Sequence, residues 1–377
     1  MIEIDTVLLK VASRCNINCS YCYVYNMGDT GWANMPNQIS HDTILSVAKA
    51  LSELRQIQTR PFAVVLHGGE PLLLGPKKLG KLLSVLRESV SAECSFGLQT
   101  NGILITDEIL DVCLEYRTTL SVSIDGPKNI HDRGRIGHNA EGTFDRVLAG
   151  LRKLAGHANA SFLFSGLLAV VDPTSDPKEV YDFFKTLNPP GVDFLYRDGN
   201  YMRLPDGKAS LRSTEYGSWF TSLSKIYLSD PNPLRIRFID DLIRILLGGK
   251  ATKDGVGIND FGILVIDTDG SITKNDTLKS SFNGADRFLQ TWSVHSHSLS
   301  EILSSNEFIE AHALQRPTAK ACFACPELQV CGGGMTLNRW SDTNGFDNPS
   351  IYCADQLLLI GNLRDEINSL FGVSKHR

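Results

Sequence analysis

Short β-branched runs alternate with segments of helical spacing up to about residue 200, and this alternation restricts the fold more than any other feature. Connections between parallel strands are nearly always right-handed, so a chain of this kind builds a parallel sheet covered by helices. An α/β barrel and an open doubly wound sheet both satisfy the pattern. In either fold the functional site lies at the carboxyl ends of the strands. The predicted strands are residues 6–12, 62–68, 95–100, 119–125, 162–170 and 192–196, and the helices between them are predicted at 42–56, 76–90, 107–116, 143–154 and 176–187.

After about residue 200 the alternation ends. Two segments of helical spacing follow at 214–229 and 235–247, and another occupies 354–372. Residues 262–276 are predicted to form a β-hairpin, because Asp-Gly at positions 269 and 270 favours a tight turn. The change in pattern indicates a second, smaller domain.

Composition excludes several classes of protein. With 377 residues, 42% of them hydrophobic, the chain has enough apolar surface for a large core. A formal net charge of −5 gives no general phosphate-binding surface, so we expect no nucleic-acid partner. The sequence contains no signal peptide and no run of the about 18 apolar residues that a bilayer span requires, so we expect no membrane partner and a cytoplasmic location.

Three cysteines form a C-x3-C-x2-C motif directly after the first predicted strand: Cys15, Cys19 and Cys22. Closed zinc sites and electron-transfer clusters use four ligands. Three thiolates on a four-iron cluster would leave one iron open to a chelating substrate. A zinc loop completed by His41 is the alternative.

A second group contains four cysteines, and four thiolates form a closed set. By itself such a quartet is typical of structural zinc. The total of nine cysteines is odd, which favours a reducing compartment over a disulfide framework. Cys94 stands beside the predicted strand 95–100 and Cys113 lies inside the predicted helix 107–116, and both are expected to be small buried residues. The quartet is Cys322, Cys325, Cys331 and Cys353.

Glycine-rich and polar clusters follow the second, third and fourth predicted strands. Each cluster by itself is typical of an ordinary turn. Glycines also let a backbone approach a ligand closely, and the carboxylate of Glu70 offers acceptors to an ammonium group. The clusters are His67-Gly68-Gly69-Glu70-Pro71, Gln99-Thr100-Asn101-Gly102 and the run from Ser123 through Asp125 to Pro127, with His131, Asp132 and Arg135 beyond.

In this order the motifs resemble the radical S-adenosylmethionine (SAM) superfamily, whose signature is three cysteines at this spacing with an aromatic residue before the last. The resemblance implies a partial (β/α)6 barrel over residues 1–235 and a SAM-cleaving four-iron cluster held by the N-terminal cysteines. It also implies which residues contact SAM: Tyr21, Gly68, Gly69, Glu70, Pro71, Gln99, Thr100, Asn101, Ser123, Asp125 and Arg135.

The cysteine quartet resembles the SPASM extension of radical SAM peptide maturases, where matching cysteines hold an outer auxiliary four-iron cluster. This implies a small iron-sulfur domain over residues 236–377. Asn275 and Met335 stand where the two-cluster form has cysteines, so the inner auxiliary cluster is expected to be absent. Residues 22–36 and 331–353 look most like the cyclophane-forming maturases, whereas residues 192–201 depart from them.

The resemblance implies that a side-chain hydrogen of a precursor peptide is removed and that the carbon is joined to an aromatic ring, with flavodoxin or ferredoxin as electron donor. Asp276 matches the catalytic aspartate of the sulfatase-maturing enzymes and is the expected base, the alternative being an exposed hairpin aspartate. Formylglycine formation in a sulfatase and peptide epimerisation are alternative activities. A nonenzymatic electron carrier or metal-stabilised binding module would not need the SAM segments.

Overall fold

Six strands form where the sequence predicts them, each within a few residues of the expected bounds, in the computed structural model, which describes residues 2–370. The fifth strand begins later than predicted, at Phe164, because residues 160–163 form a helical turn. In chain order the strands are β1 Thr6–Ala12, β2 Ala63–Gly68, β3 Ser95–Thr100, β4 Thr118–Ser123, β5 Phe164–Val170, β6 Val192–Leu195, β7 Ile263–Ile266, β8 Ser271–Thr273 and β9 Trp292–Ser293.

The long helices also form as predicted, and side chains satisfy backbone groups at several of their starts. Ser40 and Thr106 accept from backbone N–H groups three residues on, and Asp176 caps a helix that has proline at its first position. The helices are α1 His41–Ile57, α2 Gly75–Ser89, α3 Asp107–Glu115, α4 Lys128–Gly134, α5 Phe144–Gly156, α6 Ala160–Leu163, α7 Pro177–Leu187, α8 Glu215–Ser229, α9 Arg237–Leu246, α10 Leu299–Leu303, α11 Asn306–Ala313, α12 Lys320–Phe323, α13 Leu328–Cys331 and α14 Cys353–Leu370.

The structure divides into two compact units. The first contains Met1–Leu168 and Phe261–Ala313, and the second contains Ala169–Asp260 and Leu314–Arg377. The predicted domain boundary between residues 235 and 236 is based on motif content rather than on compactness, and it stays a prediction.

In the first unit the strands pair in parallel in the order β5-β4-β3-β2-β1-β7. Leu8 of the central strand β1 lies opposite Val65 on one side and Val265 on the other. Strands covered on both faces favour apolar, β-branched residues, which is why their sequences stand out. The predicted α/β fold with a parallel sheet is confirmed.

The predicted hairpin is also confirmed, since β7 and β8 pair antiparallel on either side of Asp269 and Gly270. Two features of this region have no local signal in the sequence. One is the pairing of β7 with β1, because the two strands lie far apart in sequence. The other is β9, which has only two residues.

In the second unit β6 lies beside the end of β5, where the Val171 amide donates to the Leu195 carbonyl over 3.0 Å. Helix α8 packs against the start of α14, and Gly217 permits this approach because a Cβ there would lie 2.6 Å from Asp355 Cα. The Gly217 amide donates to Asp355 Oδ1, and the fully buried ammonium of Lys208 pairs with Oδ2 at 2.6 Å. Within residues 2–370 no helix combines the length and apolar character needed to cross a bilayer.

Two glycines of α5 provide a test of packing in the first unit. A Cβ at Gly150 would lie 1.9 Å from the Gly102 carbonyl oxygen, whereas nothing lies within 4 Å of one at Gly156. We expect Gly150→Ala to lower the free energy of unfolding by about 1–3 kcal/mol, because backbone must move. Gly156→Ala should raise it by up to about 1 kcal/mol through helix propensity. Urea denaturation measures the free energy of unfolding of both variants. An increase in Gly150→Ala would contradict the close packing of residue 150 against the Gly102 carbonyl.

Candidate active site

The predicted SAM segments of the first unit meet at the carboxyl ends of β1 to β4. The cysteine loop follows β1, and Glu70, Asn101 and Asp125 follow β2, β3 and β4. Asn101 Nδ2 donates to Asn16 Oδ1 in the cysteine loop over 2.8 Å. Parallel strands end at the same edge of a sheet, so segments far apart in sequence become neighbours there.

Glu70 ties two of these strand ends together. Its carboxylate is fully buried and accepts from Leu72 N at 3.0 Å, Asn101 N at 2.8 Å and Thr100 Oγ1 at 2.7 Å. Burial raises the pKa of Glu70, although these three donors oppose the shift. Glu70 therefore holds the strand ends in place, and its contact with an ammonium of SAM stays a prediction.

The glycine pair before Glu70 lets β2 end against the cysteine loop. Gly68 has a φ of +137°, and a Cβ there would lie 2.0 Å from the Ala12 carbonyl oxygen. A Cβ at Gly69 would lie 2.3 Å from the Arg14 carbonyl oxygen. The amides of Gly69 and Glu70 donate to these same carbonyls at 2.8 and 2.9 Å. Only glycine allows the two chains to come so close. Pro71 starts the 3-10 turn that follows.

Tyr21, Asp125 and Arg135 form a buried polar group next to the cysteine loop. The Tyr21 hydroxyl donates to Asp125 and accepts from Arg135 Nη1 at 3.1 Å. Arg135 Nε is buried without an acceptor in the part of the chain that the structure describes. A buried, unused guanidinium N–H fits a ligand that carries an anionic group. Gln99, predicted to lie in the same site, donates to Ser123 Oγ at 2.9 Å.

The N-terminal cysteine thiols lie close enough to influence one another. Burial raises the pKa of Cys15 to about 12, and Glu70, Cys19 and Cys22 add to the shift. The pKa of Cys22 is raised to about 11, by burial and then by Cys19. Within residues 2–370 no three His, Cys, Asp or Glu side chains surround a position for a single metal ion.

The four C-terminal cysteines also come together, within the second unit. Burial, together with smaller contributions from Cys353, Cys322 and Cys325, raises the pKa of Cys331 to about 12. Three glycines follow Cys331 with φ of +65°, +84° and +67°, a left-handed run that requires glycine and turns the chain away from α13. The predicted quartet thus forms one thiol-rich group. Cys94 and Cys113 lie apart from both groups and are fully buried, as predicted.

Residues 275 and 335, where the two-cluster form has cysteines, have other roles. Asn275 Oδ1 accepts from Thr277 N at 3.1 Å and Thr277 Oγ1 at 2.9 Å, so it caps a short 3-10 turn. The sulfur of Met335 would lie 2.5 Å from a Cβ at Gly255, so its thioether packs against that backbone. Neither position supplies a thiolate.

Asp276 is 2% exposed, and the alternative of an exposed hairpin aspartate is wrong. Its Oδ1 pairs with Lys10 of β1, and Oδ2 accepts from the Tyr23 hydroxyl at 2.7 Å. Lys10 also pairs with Asp267 at 3.4 Å. Burial alone raises the pKa of Asp276, but the Lys10 and Lys279 ammonium groups together outweigh burial and leave the pKa below its ordinary value. Sequence patterns missed Lys10 and Asp267 because each is a single polar residue in an apolar strand region.

A parallel sheet with a thiol triad and buried polar groups at its carboxyl edge defines an enzyme site that suits an iron-sulfur cluster and a polar ligand. Residues 9–187 match the family model of the Radical SAM superfamily, and over these residues the chain is similar to radical SAM enzymes. This family uses SAM and one four-iron cluster as cofactors. The thiol triad and the unused Arg135 N–H fit these two groups.

Relatives extend over nearly the whole chain. The cysteine-type anaerobic sulfatase-maturating enzyme of Clostridium perfringens is 25% identical over 359 residues, which cover 92% of this chain and 93% of that protein. The structure of native anSMEcpe with bound AdoMet has a TM-score of 0.82 at 21% identity and covers 97% of this chain and 99% of the other. The same protein with bound AdoMet and Cp18Cys peptide has a TM-score of 0.80 at 21% identity, covering 98% and 100%. These structures show the fold.

The Lys10–Asp276 pair provides a test of electrostatics at the site. Lys10→Met leaves Asp276 and Asp267 buried without their cation, so we expect a loss of about 3–5 kcal/mol in the free energy of unfolding. Adding Asp276→Asn should recover part of it, because one uncompensated charge is removed. Chemical denaturation of the iron-free protein at neutral pH measures both. The control is Lys128→Met, which breaks an exposed pair with Asp145 and should cost less than about 1 kcal/mol. If Lys10→Met lost no more free energy of unfolding than the control, the buried ion pairs of Lys10 with Asp276 and Asp267 would be contradicted.

Proposed function

We propose that this radical SAM enzyme modifies a ribosomally made precursor peptide by joining a side-chain β-carbon to an aromatic ring, which forms a cyclophane. The proposal is based on the cysteines of the chain. Three N-terminal thiols would leave one iron of a cluster open, four C-terminal thiols would ligate a cluster fully, and positions 275 and 335 carry no thiolate. The resemblance of residues 22–36 and 331–353 to cyclophane-forming maturases supports it. Relatives that mature sulfatases, one of them solved with a peptide, support a peptide substrate.

Residues at the carboxyl ends of β1 to β4 would hold the cofactors. Cys15, Cys19 and Cys22 would bind the cluster, and Arg135 would receive an anionic group of SAM through its unused N–H. When bound, this pair supplies a 5′-deoxyadenosyl radical that removes a hydrogen atom from the substrate. The protein's own part is to hold the substrate carbon close and to exclude water.

Asp276 is the proposed proton acceptor. Closing a bond to an aromatic ring leaves a ring proton and an electron that must both depart before aromaticity returns. A proton on a ring that has lost an electron is strongly acidic, so a carboxylate with a lowered pKa is a sufficient base. Lys10 and Tyr23 hold this carboxylate in its charged form and in one orientation.

The cysteine quartet is the proposed site of the auxiliary cluster, within the proposed domain of residues 236–377. Four thiolates leave no iron open to the substrate, so the role that we propose for this site is transfer of the departing electron. A protein of the flavodoxin or ferredoxin class would supply electrons for SAM cleavage.

Formylglycine formation is the second candidate. The similarity to sulfatase-maturating enzymes over 92% of the chain favours it, and Asp276 matches the catalytic aspartate of those enzymes. It differs from crosslinking in the product, which is an aldehyde on a single residue.

Iron content tests the number of clusters. We expect anaerobically reconstituted protein to hold about eight irons per chain, because seven cysteines can ligate two four-iron clusters. Joint replacement of Cys15, Cys19 and Cys22 by alanine should leave about four irons and abolish SAM cleavage, whereas Cys94→Ala should change neither. A value of about twelve irons would correspond to three clusters and would contradict the expected absence of the inner cluster.

The product distinguishes the two candidate activities. A short peptide encoded beside this gene, coexpressed with the enzyme, should become lighter by two hydrogens per modification. Its fragmentation should be suppressed between the joined residues, and a deuterium label on the β-carbon should appear in 5′-deoxyadenosine. An aldehyde that reacts with hydrazine reagents would support formylglycine formation. An unchanged mass with an inverted α-carbon would support epimerisation.

A further inference from the structure

Two buried hydrogen-bond donors near Cys331 of the cysteine quartet have no acceptor among residues 2–370. They are the hydroxyl of Tyr196 and the Nε–H of Arg339, and both belong to the second unit. A buried donor without an acceptor costs about 1–3 kcal/mol and is rare in native proteins. Two such donors in one small region indicate an acceptor that is not a protein atom.

Aromatic neighbours hold the ring of Tyr196 in place. Its ring centre lies 4.4 Å from that of Tyr352, the residue before Cys353, and 4.8 Å from that of Phe220. Burial, and then the proximity of Asp355 and Cys331, raise the pKa of Tyr196 well above its ordinary value. The hydroxyl is therefore a protonated donor on a fixed ring, in the neighbourhood of Cys331.

Arg339 is a buried cation with only neutral acceptors. It is 1% exposed, and its terminal nitrogens donate to the carbonyls of Leu314 and Arg316 and to the Thr336 hydroxyl. Within residues 2–370 it has no carboxylate partner. Burial lowers its pKa to about 10, while Cys322 and Cys331 raise it, so the guanidinium is charged at neutral pH beside those two thiols.

We propose that Tyr196 and Arg339 donate hydrogen bonds to sulfur atoms of the auxiliary cluster and thereby raise its reduction potential. The inference rests on the proposed function, in that the quartet holds a four-iron cluster. Net charge and hydrogen bonds to sulfur set the potential of such clusters. A positive charge and two donors stabilise the reduced form more, because it carries one more negative charge. Both residues are thus positioning residues for electron acceptance, and neither changes covalently.

Tyr196→Phe is the central test, and Tyr216→Phe is its control. Tyr216 contacts Tyr196 in the same aromatic group, but its hydroxyl already donates to the Asp206 carbonyl at 2.7 Å. Both changes are made in protein whose N-terminal cysteines are replaced by alanine, so that one cluster remains. Spectroscopy during potentiometric titration measures the midpoint potential. At fixed potential, Tyr196→Phe should lower the ratio of reduced to oxidised cluster up to about tenfold, equivalent to about 59 mV, and the control should leave it unchanged.

Arg339 is tested by Arg339→Lys, which keeps the charge and removes the Nε donor, and by Arg339→Gln, which removes both. The midpoint potential should be highest in the wild type, lower in Arg339→Lys and lowest in Arg339→Gln. Arg235→Gln, at an exposed guanidinium, is the control and should leave it unchanged. If a variant of Arg339 does not retain iron, Tyr196→Phe decides alone.

The outcomes separate this inference from the proposed function. Absence of iron from the protein that keeps only the quartet would overturn the auxiliary cluster itself. A bound cluster whose midpoint is the same in Tyr196→Phe and Tyr216→Phe would overturn the hydrogen bond from Tyr196 while the proposed function stands. Unfolding of iron-free protein is the further readout. Tyr196→Phe should raise the free energy of unfolding, because it removes a buried hydroxyl that has no acceptor among the described residues, whereas Tyr216→Phe should lower it, because it removes a hydrogen bond.

Discussion

The buried carboxylate of Glu70 is the interaction on which the geometry of the first unit's site depends. It accepts three hydrogen bonds, two of them from the carboxyl end of β3, although it follows β2 itself. A parallel sheet aligns strand ends only approximately, and a buried acceptor with several donors fixes their relative position more tightly. Asn101, held in this way, in turn contacts the cysteine loop through Asn16. One buried carboxylate thus links β2, β3 and the cysteine loop.

Local patterns in the sequence predict the strands and long helices because each depends on the spacing of nearby residues. Contacts between distant residues are not visible in the same way. Strand β7 pairs with β1 across more than half of the chain, and only this pairing explains why Asp276 is buried against Lys10. Motif spacing predicts that the two cysteine groups exist. It does not predict Lys10, Tyr196 or Arg339, since single residues carry no periodic signal.

Buried donors without a partner among the described residues occur in both units, and some of them lie near a predicted cofactor site. Arg135 Nε lies in the first unit, and Tyr196 Oη and Arg339 Nε lie in the second. A buried donor without a partner costs about 1–3 kcal/mol. We therefore expect binding of the predicted cofactors to add to the stability of the protein.

Positions 275 and 335, where the two-cluster form has cysteines, have structural roles in this chain. Asn275 stabilises the turn that begins with Asp276, and this turn presents the carboxylate to Lys10 and Tyr23. Met335 packs against the Gly255 backbone. A cysteine at either position would remove one of these contacts. Capping and packing thus occupy both positions, and the cysteine quartet is the proposed route for the electron.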